Sequence, residues 1–201
     1  MKRRIGLLGG TFDPVQNAHV ALACTALDTL ALDELRFVPA GAPWQKVRGI
    51  ASGVHRAAML RLAMAGEPRF VLERCELDRA GPSYTIDTVH ELQRREPDAQ
   101  WFLIVGQDQF ANLHTWHRWV ELLSLVTLAV AARSGAEQAA DPRVQAHAYQ
   151  VLPLPLMEIA STTIRERVAR GESIDALVPP AVARYIDQHA LYLPDRANPG
   201  N

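Results

Sequence analysis

The chain has 201 residues, 48% of them hydrophobic, and its 21 Lys+Arg and 22 Asp+Glu leave a formal net charge of -1. That length and apolar share suit one hydrophobic core, expected to span 1–193, with a disordered tail from Pro194 to Asn201. A balance this close to neutral, with no basic stripe or run of like charge, argues against nucleic-acid and membrane-surface partners.

Met1-Lys2-Arg3-Arg4 opens the chain like a signal-peptide basic region, but the apolar run behind it ends within about six residues at Gly9-Gly10, short of the roughly 7–15 of a signal-peptide core. The longest apolar stretch, Leu122 to Ala132, is broken by Ser124 and Thr127 and falls well below the roughly 20 residues of a bilayer span. A cytoplasmic location is therefore expected. Apolar runs predict strands at 4–8, 35–39, 70–72, 101–105, 126–132 and 149–154. Between them, helices are predicted over 16–30, with Ala21, Leu22, Cys24, Leu27 and Leu30 on one face, and over 55–65, 84–95 and 108–124. Two more follow at 161–170 and 180–190. A loop at 40–52 carries Lys46, and a polar loop covers 134–143. Strands alternating with helices favour an α/β fold with a doubly wound, mostly parallel sheet, in which ligands bind outside the carboxyl ends of the strands.

Cys24 and Cys75 are isolated and lack metal-ligand spacing, so both are expected to be buried free thiols. His114 and His117 lie three apart among Trp116 and Trp119, a pattern expected of a packed helix face. No side-chain metal site is expected.

Chemistry-bearing residues gather at the predicted strand ends. Ile5 to Leu8 runs into Gly9-Gly10-Thr11-Phe12-Asp13-Pro14, then a helix start with Gln16 and His19. Bare glycine backbone followed by helix N–H groups suits an anion such as a phosphate. Lys46 follows the second strand, Gly106-Gln107-Asp108 the fourth, and Arg133 the fifth. Near the C-terminus, Ile159-Ala160-Ser161-Thr162-Thr163-Ile164-Arg165 reads as a helix capped by Ser161 or Thr162 and ended by Gly171. Its hydroxyls and Arg165 are suited to a second phosphate.

Together these stretches resemble the bacterial nicotinate-nucleotide adenylyltransferases of the nucleotidyltransferase superfamily. The resemblance rests on Gly9 to His19, Pro39 to Lys46, Pro82-Ser83-Tyr84-Thr85, Gly106-Gln107-Asp108, Trp116, and the 159–165 segment. It continues through Leu177-Val178-Pro179-Pro180 to Leu191-Tyr192. Phosphopantetheine adenylyltransferase, a shorter relative, lacks the Pro-Ser-Tyr-Thr and Gly-Gln-Asp elements.

The resemblance implies a Rossmann-like nucleotidyltransferase fold and adenylyl transfer from ATP to nicotinate mononucleotide. Mg²⁺ would be bound through the phosphates. Catalytic roles would fall to His19, Gln16, Arg165 and Lys46. ATP would be held by Gly9, Gly10, Thr11, Phe12, His19, Gly106, Asp108, Ser161, Thr162 and Arg165. Nicotinate mononucleotide would be held by Lys46, Tyr84, Thr85, Asp108, Trp116 and Arg133.

Gln16 departs from the pattern, which carries a second histidine there, and Ala18 replaces its glycine. A neutral amide on a flexible stem is a weaker phosphate donor than a histidine, so impaired turnover is expected. Three explanations stand: a natural variant compensated by Lys46 or Mg²⁺, an engineered substitution, or a non-catalytic nucleotide-binding protein on the same fold.

Overall fold

The computed structural model describes residues 2–41, 50–133, 140–154 and 159–194. Lys46, the loop at 134–139 and the tail from 195 lie outside the described residues.

All six predicted strands form: β1 (Arg4–Gly10), β2 (Glu34–Pro39), β3 (Phe70–Leu72), β4 (Gln100–Gly106), β5 (Thr127–Arg133) and β6 (Tyr149–Leu154). Every pairing is parallel, in the order β3-β2-β1-β4-β5-β6. The chain therefore winds outward from β1 in one direction, then returns to β4 and winds in the other. This reversal leaves a crevice at the carboxyl ends of β1 and β4. The register sets Gly10 beside Pro39, Leu8 beside Ile104 and Gly106 beside Ala131, so the strand-end loops share one edge.

The central strands β1, β2, β4 and β5 divide their apolar residues between two cores, because successive side chains point to opposite faces. Leu8, Phe37, Phe102, Ile104 and Ala129 pack under α1 (Asn17–Thr29), α2 (Gly53–Met64), α8 (Ser161–Ala169) and α9 (Pro180–Gln188). Ile5, Leu7, Trp101, Leu103, Leu128 and Val130 pack under α4 (Thr85–Arg95), α5 (Gln107–Ala111), α6 (Trp119–Leu125) and α7 (Pro142–Gln145). Helix α4 shows how locally the elements are specified. Ile86, Val89 and Leu92 are fully buried on one side, Arg94 and Arg95 complement the dipole in the last turn, and Pro97 follows.

Gly6 sits where β1 passes between the strands on either side. A β-carbon there would lie 2.6 Å from Leu32 Cδ1 and 2.9 Å from Ile104 Cδ1, both buried. Gly6→Ala is expected to cost about 1–3 kcal/mol by overpacking, read as a lower urea midpoint with unchanged m-value.

Four expectations are corrected. The helix predicted over 108–124 is three pieces: α5, a 3₁₀ turn at Leu113–Thr115, and α6. Arg118 adopts a left-handed backbone, φ 53°, so His114, His117, Trp116 and Trp119 do not share a helix face. Cys24 is exposed, and only Cys75 is buried. In α1 the buried residues are Leu22, Ala23, Ala26 and Leu27, so the apolar stripe is rotated away from Ala21 and Cys24. Two short helices were not expected, α3 (Cys75–Asp78) and α7; the second starts inside the predicted polar loop, where Asp141 caps it and Pro142 begins it.

Candidate active site

The glycine turn leaves β1 with bare backbone at the crevice. A β-carbon on Gly9 would meet nothing within 4 Å, and Gly9 and Thr11 are exposed. Gly10 has a different reason to be glycine, since a β-carbon would come 3.1 Å from the Phe12 ring. Phe12 itself points away from solvent. It is 2% exposed with φ 51°, and its ring packs edge-on against Phe37 and His19, with centroids 5.7 and 5.0 Å apart. It props the turn from beneath, and only its backbone lines the loop.

His19 lies in the first turn of α1, half-buried. Its Nδ1 accepts the backbone N–H of Gln16 at 3.2 Å, which caps the helix and requires the proton of the neutral ring to sit on Nε2. Burial pushes the imidazole pKa down to about 4. The ring is thus neutral near pH 7 and offers one fixed N–H donor. Gln16 is the N-cap, 6% exposed, and its Oε1 is buried with no partner among the described residues.

The 159–165 segment closes on this turn. Arg165 Nη1 donates to the Asp13 carbonyl at 2.8 Å, and Ser161 Oγ donates to the Pro14 carbonyl at 3.1 Å. Arg165 also reaches Thr162 Oγ1 at 3.3 Å. Ala160 rather than Ser161 or Thr162 is the N-cap, because the Ser161 hydroxyl is drawn to the Pro14 carbonyl across the crevice. Gly171, φ 69°, ends the helix as expected, with Glu172 N–H returning to the Arg167 carbonyl.

On the other side, Gly106 caps α5 and Asp108 is exposed. Tyr84 caps α4, Thr85 begins it, and the Tyr84 ring stacks on His117 with centroids 4.5 Å apart. That stack ties the turn carrying Trp116, which is partly buried against the α4–α6 core, to the start of α4. Arg133 ends β5.

Two residues here escaped sequence reasoning. Arg56, 2% exposed, donates to the carbonyls of Thr11 (2.8 Å), Ala40 (2.8 Å), Gly41 (3.2 Å) and Ala51 (3.1 Å), joining the loops after β1 and β2. Burial lowers its pKa. The available signal was its spacing, three and four residues before Met59 and Leu60 on the buried stripe of α2. Asp13, 2% exposed, accepts from Ala51 N–H at 3.0 Å and from the Tyr192 hydroxyl at 2.7 Å. In the sequence it stands out only as part of the turn.

The family model described as cytidylyltransferase-like matches residues 7–167, which takes in both the glycine turn and Arg165. The chain is 50% identical to a "Probable nicotinate-nucleotide adenylyltransferase" of Methylibium petroleiphilum, over 97% of this chain and 95% of that protein. A protein of the same description from Bordetella petrii is 46% identical, over 94% and 99%. The chain belongs to the nicotinate-nucleotide adenylyltransferase family.

The fold agrees with solved structures of that family. The Plasmodium falciparum nicotinic acid mononucleotide adenylyltransferase complexed with NaAD superposes with a TM-score of 0.78 at 17% identity, covering 94% of this chain and 97% of that one. The same adenylyltransferase complexed with APC gives 0.77 at 16% identity, with the same coverage. Among the described residues, no helix of this adenylyltransferase family member is long and apolar enough to cross a membrane.

Proposed function

We propose that this protein transfers the adenylyl group of ATP to nicotinate mononucleotide, giving nicotinate adenine dinucleotide and pyrophosphate, as a cytoplasmic step of NAD synthesis. The observation that carries this reading is the junction at Asp13 and Pro14, where Arg165 and Ser161 bring the second phosphate-binding segment onto the glycine turn that leads into His19. Residues 1–193 act as one nucleotidyltransferase domain in this reading.

The nucleophile is a phosphate oxygen of the mononucleotide, already anionic at neutral pH. It attacks the α-phosphorus, a P–O bond forms, and the bond to the β-phosphate oxygen breaks to release pyrophosphate. No general base is needed, so the protein's work is positioning and charge stabilisation. The His19 Nε2–H donates near the α-phosphate, while Thr162, Arg165 and the free N–H groups at the start of α8 hold the β and γ end. Gly9, Gly10 and Thr11 let the triphosphate approach the backbone, and Asp108 takes a ribose hydroxyl. Trp116 stacks on the pyridine ring, and Tyr84 and Thr85 with nearby backbone donors receive the carboxylate. Lys46 and Arg133 contribute phosphate contacts.

Mg²⁺ would arrive on the triphosphate and neutralise part of its charge. Among the described residues no cluster of three or more His, Cys, Asp or Glu side chains is placed to hold a metal ion, and Asp13 is committed to Tyr192 and Ala51, so the ion would be held through the phosphates.

The test is incubation with ATP, Mg²⁺ and nicotinate mononucleotide, with dinucleotide measured for the wild-type chain and Gln16→His. Product is expected from both, with the variant faster by up to about 10²-fold if a histidine restores a well-placed donor. No dinucleotide from either form rejects the enzyme reading in favour of a non-catalytic nucleotide-binding protein. Replacing the substrate by nicotinamide mononucleotide tests the carboxylate preference.

A further inference from the structure

Asp13 is where four distant parts of the chain meet, and one of them is the C-terminal segment. Its Oδ1 accepts from Ala51 N–H and from the Tyr192 hydroxyl, at 3.0 and 2.7 Å. Its Oδ2 is buried with no hydrogen bond among the described residues and lies 3.7 Å from Arg165 Nη1, the same nitrogen that donates to the Asp13 carbonyl. The guanidinium therefore stands between two acceptors of one residue. It stays on the carbonyl while the carboxylate is engaged elsewhere. A buried carboxylate that loses a donor will recruit the nearest cation, because an unpaired buried charge is costly.

Tyr192 is the side-chain donor that holds it, beside the Ala51 backbone N–H. The chain delivers this side chain through left-handed backbone at both Ala190, φ 49°, and Tyr192, φ 64°. Non-glycine residues adopt that conformation at a cost, so the contacts it permits must offset the strain. The ring packs on the core under α1 and α2. Burial, then the neighbouring Asp13, raises the hydroxyl pKa and keeps it a donor.

We propose that Tyr192 is a positioning residue for adenylyl transfer. By engaging Asp13 Oδ1 it keeps Arg165 on the Asp13 carbonyl, and with it the register between the start of α8 and the turn leading to His19. This inference rests on the function proposed above.

Tyr192→Phe removes one oxygen and preserves the ring. We expect kcat to fall about 10- to 100-fold, since misplacement of a remote support can cost that much. KM for nicotinate mononucleotide should move by less than about twofold. Hydrogen exchange should rise in peptides covering 11–19 and 161–166. Asp13→Asn, whose neutral amide recruits no cation, should lower kcat less than Tyr192→Phe does, and Tyr192→Phe should add less than about twofold on that background, because its effect acts through the Asp13 charge.

An unchanged kcat in Tyr192→Phe, even with a lower Tm, makes the hydroxyl merely structural and overturns the proposal. So do effects of the two substitutions that multiply. Should Asp13→Asn fail to fold, the exchange comparison on Tyr192→Phe decides. Should the wild-type chain make no dinucleotide, the functional reading fails separately, and unchanged exchange at 161–166 then overturns this inference on its own terms.

Discussion

His19→Ala is expected to lower kcat by about 10²–10³, equivalent to about 2.7–4 kcal/mol of transition-state stabilisation. The ring is neutral, with Nδ1 occupied by the Gln16 N–H, so it contributes one Nε2–H donor whose direction the helix cap sets. Such a donor matters most when charge builds on the α-phosphate, so KM for ATP should change far less than kcat. A steady-state comparison on variant shown to be folded by circular dichroism decides this. Equal kcat values would remove His19 from the chemistry.

The same imidazole makes a pH prediction of definite sign. Its pKa is held at about 4 in the folded protein, against 6.5 for an ordinary histidine. Between those values the unfolded chain binds a proton that the folded chain does not, so stability rises with pH across that window. The His19 contribution is complete above about pH 6.5, is lost progressively on acidification, and levels off below about pH 4. Urea unfolding at pH 7 and pH 5 should therefore show a smaller acid loss in His19→Ala than in the wild-type chain. The wild-type rate should show no inflection from His19 between pH 6 and 8.

Arg56→Met is expected to lower stability by about 3–5 kcal/mol, a drop of roughly 6–20 °C in Tm for a chain of this size. Methionine keeps the apolar stem in the α2 face but withdraws the donors to four carbonyls in three segments. The four carbonyls belong to exposed or half-buried residues, so water recovers part of the roughly 1–3 kcal/mol that each would cost if fully buried and left without a partner. Arg56→Lys should recover little, because one ammonium cannot span carbonyls on both loops. Differential scanning calorimetry measures the effect, and a loss below about 1 kcal/mol would mean that the loops after β1 and β2 hold their positions without this residue.

The strands were legible because all six are short apolar runs ended by turn residues, and a buried parallel strand writes nothing else into a sequence. The turn at Gly9-Gly10 and the helix stop at Gly171 were legible for a similar reason, since both depend on local backbone freedom. Positions 108–124 were not. Their composition is helical throughout, but the chain breaks at Trp116 to Arg118, where the Tyr84–His117 stack draws the turn toward α4. Cys24 was misplaced because the stripe of α1 is set by which side meets the sheet, a rotation that periodicity alone leaves free within about one residue.

By itself, the sequence determined the order and type of the main elements, the α/β class, and the glycine-turn and 159–165 segments on which the family resemblance rests. Those follow from local propensity and from residue types that only certain chemistry needs. Only the tertiary structure decided how the segments work together. It made His19 a neutral donor by burying it against Phe12, and it committed Ser161 to the Pro14 carbonyl. It also turned Asp13, Arg56 and Tyr192 from unremarkable letters into a buried junction. Burial and distance between remote residues govern pKa, hydrogen-bond partners and strain, and neither quantity is written in the order of residues along the chain.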